Sequence, residues 1–326
     1  MTAPLRVVFL GSPPFGTPVL RAIGESGHEL SLVVTRPDLP RGRGRSIERG
    51  EVAALGDELG VPVLQPETTR DPSFAEALRA QRPDVLIVAS YGEILNEEVL
   101  AIPTIAPLNV HASLLPRHRG SSPIQAAILA GDANTGVSIQ RMVLALDAGD
   151  LLLERVVEIE EGENAGELHD RLSLIAGEAA VSALELLSEG DVEFRPQEES
   201  LVTMTRRLRK DDGRFDPSAM SAAELVRHVR AMTPWPGART ELLRANGERL
   251  AFTLHAAQET ERLPWGGAQP GELGVDGDRL FLALSAESVE LTRVQPAGKR
   301  PMAVSDFLRG ARLEEGARLG SDPCPG

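Results

Sequence analysis

Cysteine is all but absent: Cys324, in "GSDPCPG", is the only one in 326 residues. A disulfide framework and a cysteine-ligated zinc site are thereby excluded, and a reducing compartment is expected. Aromatic residues make up only 3%, so the core has to be built from Leu, Val, Ala and Ile. No apolar run approaches the roughly 20 residues that cross a bilayer. The opening "MTAPLRVVFLGSPPFG" lacks the long apolar stretch and small-residue cleavage site of a signal peptide. A cytoplasmic protein with no membrane partner is the expectation. Basic residues are also in the minority, 34 Lys and Arg against 48 Asp and Glu, a net charge of −14. That balance argues against a general polyanion binder.

What is present is a folded chain long enough for two domains, 42% hydrophobic and 25% charged. Its charge is uneven. Residues 201–326 tally to about +1 and residues 1–200 to about −15. Inside the acidic half lies one basic island, "RPDLPRGRGRSIER" at 36–49. Arg41, Arg43 and Arg45 alternate there with Gly42 and Gly44, a composition expected to be mobile. Alone, such a run also reads as a solvated surface loop.

The first half alternates strand-like and helix-like segments. "LRVVFLG" (5–11), "HELSLVVT", "DVLIVAS" (84–90) and "APLNVHA" read as strands. "TPVLRAIGESG", "EVAALGDELG" and "PSFAEALRAQ" read as helices between them. This order predicts an α/β fold, a doubly wound, mostly parallel sheet with helices on both faces. "TGVSIQRMV" and "LLLERVVEI" add strands joined by "LALDAGD", and a long helix is expected over about 165–187. "GSPPFG" lacks the G-x-G-x-x-G of a dinucleotide site, and its prolines cannot donate backbone hydrogen bonds. It reads as a wall of the crevice beyond the strands.

Periodicity is lost in "SEGDVEFRPQEES". Domains are expected at 1–189 and 206–312, with a linker at 190–205 and a disordered tail at 313–326. The second domain opens on the helix "SAAELVRHVRAM", where Ser221 and Glu224 have capping-box spacing. Short strands follow ("ARTELL", "RLAFTLHAA", "RLFLAL", "SVELTRVQP"), separated by turns such as "GVDGDR". They predict a small C-terminal β-barrel or sandwich.

The stretch "NVHASLLPRHRGSSPIQAAILAGD" (109–132) is the one that points to chemistry. Alternation puts Leu108, Val110 and Ala112 on one face of a strand and Asn109, His111 and Ser113 on the other. Two same-face residues lie roughly 7 Å apart, close enough to serve one carbonyl group. Asn offers an amide donor for an oxyanion, and His moves a proton or carries charge near neutrality. Asp147 in "LDAGD" can return a carboxylate to the same crevice. Taken singly, Asn109 and His111 also read as hydrogen-bonded strand-end structure, Asp147 as a turn residue and Ser113 as a cap. The combination at a strand terminus favours a reaction centre.

These residues carry a resemblance. The stretch, together with "LDAGD", resembles the signature of the 10-formyltetrahydrofolate-dependent formyltransferases. The likeness to those that act on methionyl-tRNA runs over nearly the whole chain, to about residue 312. It includes "GSPPFG", "TRPDLPRGRGR", "VASYGEIL", "PIQAAILAGDANTGVSI", "TPWPGA" and "QPAGKRPM". Pro14 and the pair Ser121–Ser122 are mild departures.

The resemblance implies a Rossmann-like folate domain and an OB-like C-terminal barrel that binds tRNA. It implies formyl transfer to the α-amine of methionyl-initiator-tRNA in support of translation initiation. Asn109, His111 and Asp147 match the catalytic trio. Ser113, Leu114, Leu115 and Pro116, with Gly92, match folate-contacting positions. Arg41, Arg43 and Arg45 fall where the family inserts a loop into the acceptor end of the tRNA, Arg43 matching its key arginine. Arg206, Arg207, Lys210, Lys299 and Arg300 are candidate phosphate contacts, although each also reads as an ordinary exposed cation. Trp235 could stack on a base, but Pro-flanked it also reads as a packing plug. The donor is 10-formyltetrahydrofolate, no metal is implied, and a monomer is expected. Other readings keep the folate site with an amino-sugar acceptor or with hydrolysis to formate. A catalytically silent RNA-binding module is a third, and a dinucleotide oxidoreductase is disfavoured by the missing glycine pattern.

Overall fold

The computed structural model describes residues 3–38, 40–41, 46–190, 192–244, 247–261, 265–311, 313 and 315–320, with backbone alone at 40, 41, 46 and 47. The chain forms two compact units. One comprises 1–123, 134–158 and 169–205; the other comprises 124–133, 159–168 and 206–326. Residues 190–205, expected as a linker, are therefore built into the first unit.

The first unit is organised on a seven-stranded sheet. Its strands are β1 (Arg6–Gly11), β2 (Glu29–Val34), β3 (Val63–Leu64), β4 (Val85–Ala89), β5 (Ala106–His111), β6 (Asn134–Arg141) and β7 (Leu151–Glu158). The order is β7-β6-β5-β4-β1-β2-β3. The five strands β3-β2-β1-β4-β5 run parallel, the doubly wound arrangement read from the sequence. The alternation did not resolve the other end, where β6 is antiparallel to β5 and β7 to β6. Antiparallel neighbours need only a short connection, and residues 142–150 supply it.

Both faces of the parallel core are covered. Val7, Val8, Phe9 and Leu10 of β1 and every residue of β4 are buried, which explains why these strands read as continuous apolar runs. On one face Val8, Leu10, Leu32, Val34, Leu86 and Val88 pack with Phe74 and Leu78 of the helix Pro72–Gln81. Each such large side chain contributes about 1.5–3 kcal/mol by leaving water. The helix Ala165–Glu189 turns Leu172, Ala176, Ala179, Ala183 and Leu187 inward at helical spacing.

The second unit holds the antiparallel strands β8 (Ala238–Leu243), β9 (Arg249–Glu259), β10 (Leu273–Asp276), β11 (Arg279–Ala283), β12 (Ser288–Pro296) and β13 (Arg318–Gly320), in the order β10-β11-β12-β9-β8-β13. The helix Ala222–Met232 carries the expected capping box, Ser221 N donating to Glu224 Oε2 at 2.9 Å. Two of these strands escaped the sequence reading, as did the short Met302–Ala303, which pairs antiparallel with β12. β10 was taken as part of a turn, and β13 lies in the stretch expected to be disordered. Ala317 and Leu319 are buried. Leu319 N donates to Gly271 O at 2.7 Å and Leu273 N to Ala317 O at 2.9 Å, with a bridge between Glu272 and Arg318. These bonds bring the two sheet edges together, so the terminal segment closes the sheet toward a barrel and removes an exposed edge. Cys324, at 321–326, lies outside the described residues.

Candidate active site

β5 presents Asn109 and His111 on the face where its antiparallel neighbour β6 presents Gln140 and Ser138. Asp147 comes back over this face from the connection between β6 and β7. Its Oδ1 accepts from Asn109 Nδ2 at 3.1 Å and from Gln140 Nε2 at 3.1 Å. Its Oδ2 accepts from the backbone N–H of Gly120 at 2.9 Å and stands 3.7 Å from His111 Nδ1. The connection needs its sequence. Asp147 sits in the left-handed region at φ 50°, which Asp tolerates better than most residues. Gly149 lies so close to Arg141 that a Cβ there would meet the Arg141 carbonyl oxygen at 1.7 Å.

His111 is 6% exposed. Its Nε2 lies 3.0 Å from the carbonyl oxygen of His118. A carbonyl only accepts, so Nε2 carries a hydrogen and Nδ1 is the nitrogen turned to Asp147. Both ring nitrogens thus face oxygens, Nε2 within hydrogen-bond distance of a carbonyl and Nδ1 at 3.7 Å from the carboxylate.

Ser113 does not share the open face. β5 ends at His111, so the alternation stops before it. Ser113 is fully buried and its hydroxyl donates to Arg117 O at 2.7 Å. Ser138 Oγ ties the following turn together, donating to Ser113 O at 2.8 Å and accepting from Leu115 N at 3.1 Å. Leu115 and Pro116 are buried, and half-buried Leu114 keeps the most side-chain surface of the four.

The carboxyl ends of β1, β2 and β4 adjoin where the strand order reverses, the usual ligand position of such sheets. Ser12 of "GSPPFG" donates to Tyr91 O at 3.2 Å. Arg36 donates from Nε to Tyr91 O at 3.0 Å and from Nη2 to Gly92 O at 2.8 Å. Gly92 has φ 78°, and a Cβ there would strike the Arg36 guanidinium at 2.1 Å. Burial pushes the Tyr91 phenol up to about 12, with Glu93 adding to the rise and Arg36 opposing it.

Comparison with known proteins accounts for both units. Residues 5–184 match the family described as formyl transferase, and residues 207–312 match its C-terminal domain. The chain is 43% identical over 326 residues to a methionyl-tRNA formyltransferase of Chromohalobacter salexigens, covering 99% of each. It is 41% identical to one from Chloroflexus aurantiacus, covering 97% of this chain and 100% of that one.

The chain belongs to the methionyl-tRNA formyltransferase family.

Among solved structures, HypX from Aquifex aeolicus in complex with tetrahydrofolic acid is 19% identical with a TM-score of 0.62, and this chain spans 51% of it. The N-formyltransferase of Helicobacter canadensis, in complex with folinic acid and dTDP-3-aminofucose, is 11% identical with a TM-score of 0.62 and is covered to 98%. At these identities both show the fold alone.

For a formyltransferase of this family the cations read from the sequence divide unevenly. Pro40–Arg41 and Ser46–Ile47 pair antiparallel, Arg41 opposite Ser46. Arg43, Arg45 and the Arg41 side chain lie outside what is described. Two other arginines of the basic island are internal anchors. Arg36 holds the Tyr91–Gly92 turn, and Arg49 pairs with Asp57 at 2.9 Å and with Asp38 at 3.5 Å. In the second unit Arg206 is engaged by the Asp212 carboxylate through both terminal nitrogens. That pairing raises the Arg206 guanidinium above its ordinary value and pulls Asp212 down to about 2. Arg207, Lys210, Lys299 and Arg300 are exposed. Trp235 is 56% exposed, more than a packing plug would be. A cavity of about 720 Å³ in the second unit, lined among others by Arg230, His255, Gln258 and Arg293, holds none of the residues singled out in the sequence.

Among the described residues no helix is long and apolar enough to cross a membrane, and no group of three His, Cys, Asp or Glu could hold a metal ion. The sequence reading missed Gln140 and the Gly120 amide, both bound to Asp147, and Arg36. Gln140 was discoverable, since antiparallel pairing with Asn109 puts it on the same face. Arg36 carried only its place at the end of β2.

Proposed function

We propose that this enzyme transfers the formyl group of 10-formyltetrahydrofolate to the α-amine of methionyl-initiator-tRNA, in the cytoplasm and as a monomer. One observation carries the reading most strongly. Asn109, His111 and Asp147 converge at the carboxyl end of β5, with the carboxylate touching the amide and facing the imidazole. The names of relatives above 40% identity, matched over 97–99% of this chain, support methionyl-tRNA as the acceptor.

The geometry supports the following roles. Asn109 Nδ2 has two hydrogens, and one is given to Asp147. The other would donate to the formyl oxygen as negative charge collects there. His111, with its ring between two oxygens, adds positive charge beside the same atom. The amine forms its bond to the formyl carbon, the bond to N10 breaks, and one proton moves from the amine to N10. Asp147 would take that proton in transit, through water, and holds the orientation of His111 throughout. The donor lies along the strand ends, against Gly92 and the turn 113–116, where Leu114 offers its surface. Arg41, Arg43 and Arg45 engage the acceptor end of the tRNA, and Arg206, Arg207, Lys210, Lys299 and Arg300 of the second unit contact phosphates.

The test is formyl transfer from 10-formyltetrahydrofolate to initiator methionyl-tRNA, with elongator methionyl-tRNA and free methionine in parallel. Formylation of the initiator alone is expected. Formate release with no formylated product would make the enzyme a hydrolase. Donor bound but neither product formed would point to a small amino-sugar acceptor.

A further inference from the structure

The segment after the long helix does more than connect. Arg195 pairs with Leu151 at the start of β7, their backbones exchanging bonds of 2.7 and 2.8 Å. Met204–Thr205 then pairs in parallel with Arg119–Gly120. Between these two attachments the chain crosses the connection that carries Asp147, and Gln197 is the residue that meets it. Its Nε2 lies 2.9 Å from Asp147 O, 2.7 Å from Gly149 O and 3.2 Å from Gln140 Oε1. Its Oε1 accepts from Arg119 Nε at 3.0 Å. Arg119 is 6% exposed, and its Nη2 donates to Glu199 at 2.7 Å.

We propose that Gln197, anchored by the buried guanidinium of Arg119, is the positioning residue that sets the Asp147 carboxylate for formyl transfer. The inference rests on the functional reading above, in which Asp147 acts on His111 and the migrating proton. Two features of the geometry carry it. The first is direction. Arg119 Nε donates to Gln197 Oε1, and the two hydrogens of Gln197 Nε2 reach Asp147 O and Gly149 O, the nearer two of its three acceptors, Gln140 Oε1 lying farther at 3.2 Å. The amide accepts at its oxygen and donates at its nitrogen, so the positive charge of Arg119 polarises the two bonds that hold the connection. The second is restraint. Gln197 clips the two carbonyls on either side of Ala148, in a connection whose Asp147 adopts φ 50°. A backbone in that region persists only where its surroundings over-determine it, and Gln197 supplies that determination from a distant part of the chain. A structural filler would need only the right size. This residue has the right hydrogens.

Two variants separate these roles in the full-length enzyme. Gln197→Leu removes both donor and acceptor. Gln197→Glu keeps length, shape and the acceptor for Arg119, and loses the hydrogens given to the connection. Both should lower kcat on the order of 10²-fold, the usual consequence of misplacing a reacting group by about an ångström. KM for donor and for tRNA should stay within about 3-fold, since the proposal gives Gln197 a positioning role and no substrate contact. Hydrogen exchange of residues 143–150 should accelerate in both variants. Wild-type kcat in Gln197→Glu, or a lowered melting temperature with kcat unchanged, would overturn the proposal. Asp147→Asn is run alongside. If it keeps full activity, the functional reading of Asp147 fails, and the exchange data still decide whether Gln197 holds the connection: unchanged exchange would overturn that too.

Discussion

Asp147 Oδ2 stands 3.7 Å from His111 Nδ1, on a backbone held at φ 50°. The two residues are far apart in sequence and meet because β6 runs antiparallel to β5 and its connection to β7 folds back over the shared face. The charge relation between them is therefore a property of one connection. Its shape depends on Gly149, and three polar groups outside it, Asn109, Gln140 and the Gly120 amide, hold its carboxylate.

Gly149→Ala tests that dependence. The added methyl would meet the Arg141 carbonyl oxygen at 1.7 Å, so the backbone has to move. A stability loss of about 3 kcal/mol is expected from such overpacking, with formyl transfer falling further than stability alone explains. Chemical denaturation and a kcat measurement on the same preparation check it.

Closure of the second unit by β13 gives a test against the expectation of a disordered tail. Leu319 is 2% exposed. Leu319→Ala should cost about 2–4 kcal/mol, as for other buried leucines, and the shift should appear in the unfolding of the second unit. A free tail would leave the denaturation midpoint where it is.

How much of this was legible depends on the kind of signal. Asn109 and His111 share a face because strand alternation is local. The doubly wound core was readable because β4 is apolar throughout and β1 is apolar beyond Arg6, as strands covered on both sides are. Ser113 was misplaced because alternation was carried past the last strand residue into a turn. β13 went unread because three residues, Arg318–Gly320, carry too little pattern; its burial is decided by a distant edge at Gly271. Gln197 lay in a stretch with no periodicity at all. Its role comes from hydrogen bonds to carbonyls, which leave no trace in the order of side chains.

The buried histidine of the second unit sets a pH dependence. Burial holds His228 below its ordinary value, against the opposing pull of the Gly213 carbonyl and Asp212. A histidine whose folded value is depressed leaves the unfolded chain binding more protons. Stability should therefore fall as pH drops below about 6.5, the unfolded value, through the folded value. His228→Gln should flatten this part of the profile. Melting temperatures of both proteins from pH 7.5 to 5 check it, and parallel curves would remove His228 as the cause.

The exposed cations make a prediction in salt. Lys299→Ala and Arg300→Ala should weaken tRNA binding and each reduce the slope of log K against log salt by about 1. Arg206→Ala should do less, because its guanidinium is already engaged by Asp212. Arg43→Ala should slow transfer to tRNA with donor binding intact. Filter binding across a salt series, with the transfer assay beside it, reads all four.

The most direct measurement is single-turnover formyl transfer to initiator methionyl-tRNA by Asp147→Asn beside the unaltered enzyme, both saturated with 10-formyltetrahydrofolate. The substitution keeps size and removes the charge that faces His111. The expected result is a rate lower on the order of 10⁴-fold, a loss of the size seen when an orienting carboxylate is neutralised, with donor binding unchanged. A rate within a few-fold of the unaltered enzyme would contradict the assignment of Asp147, and with it the centre built on β5.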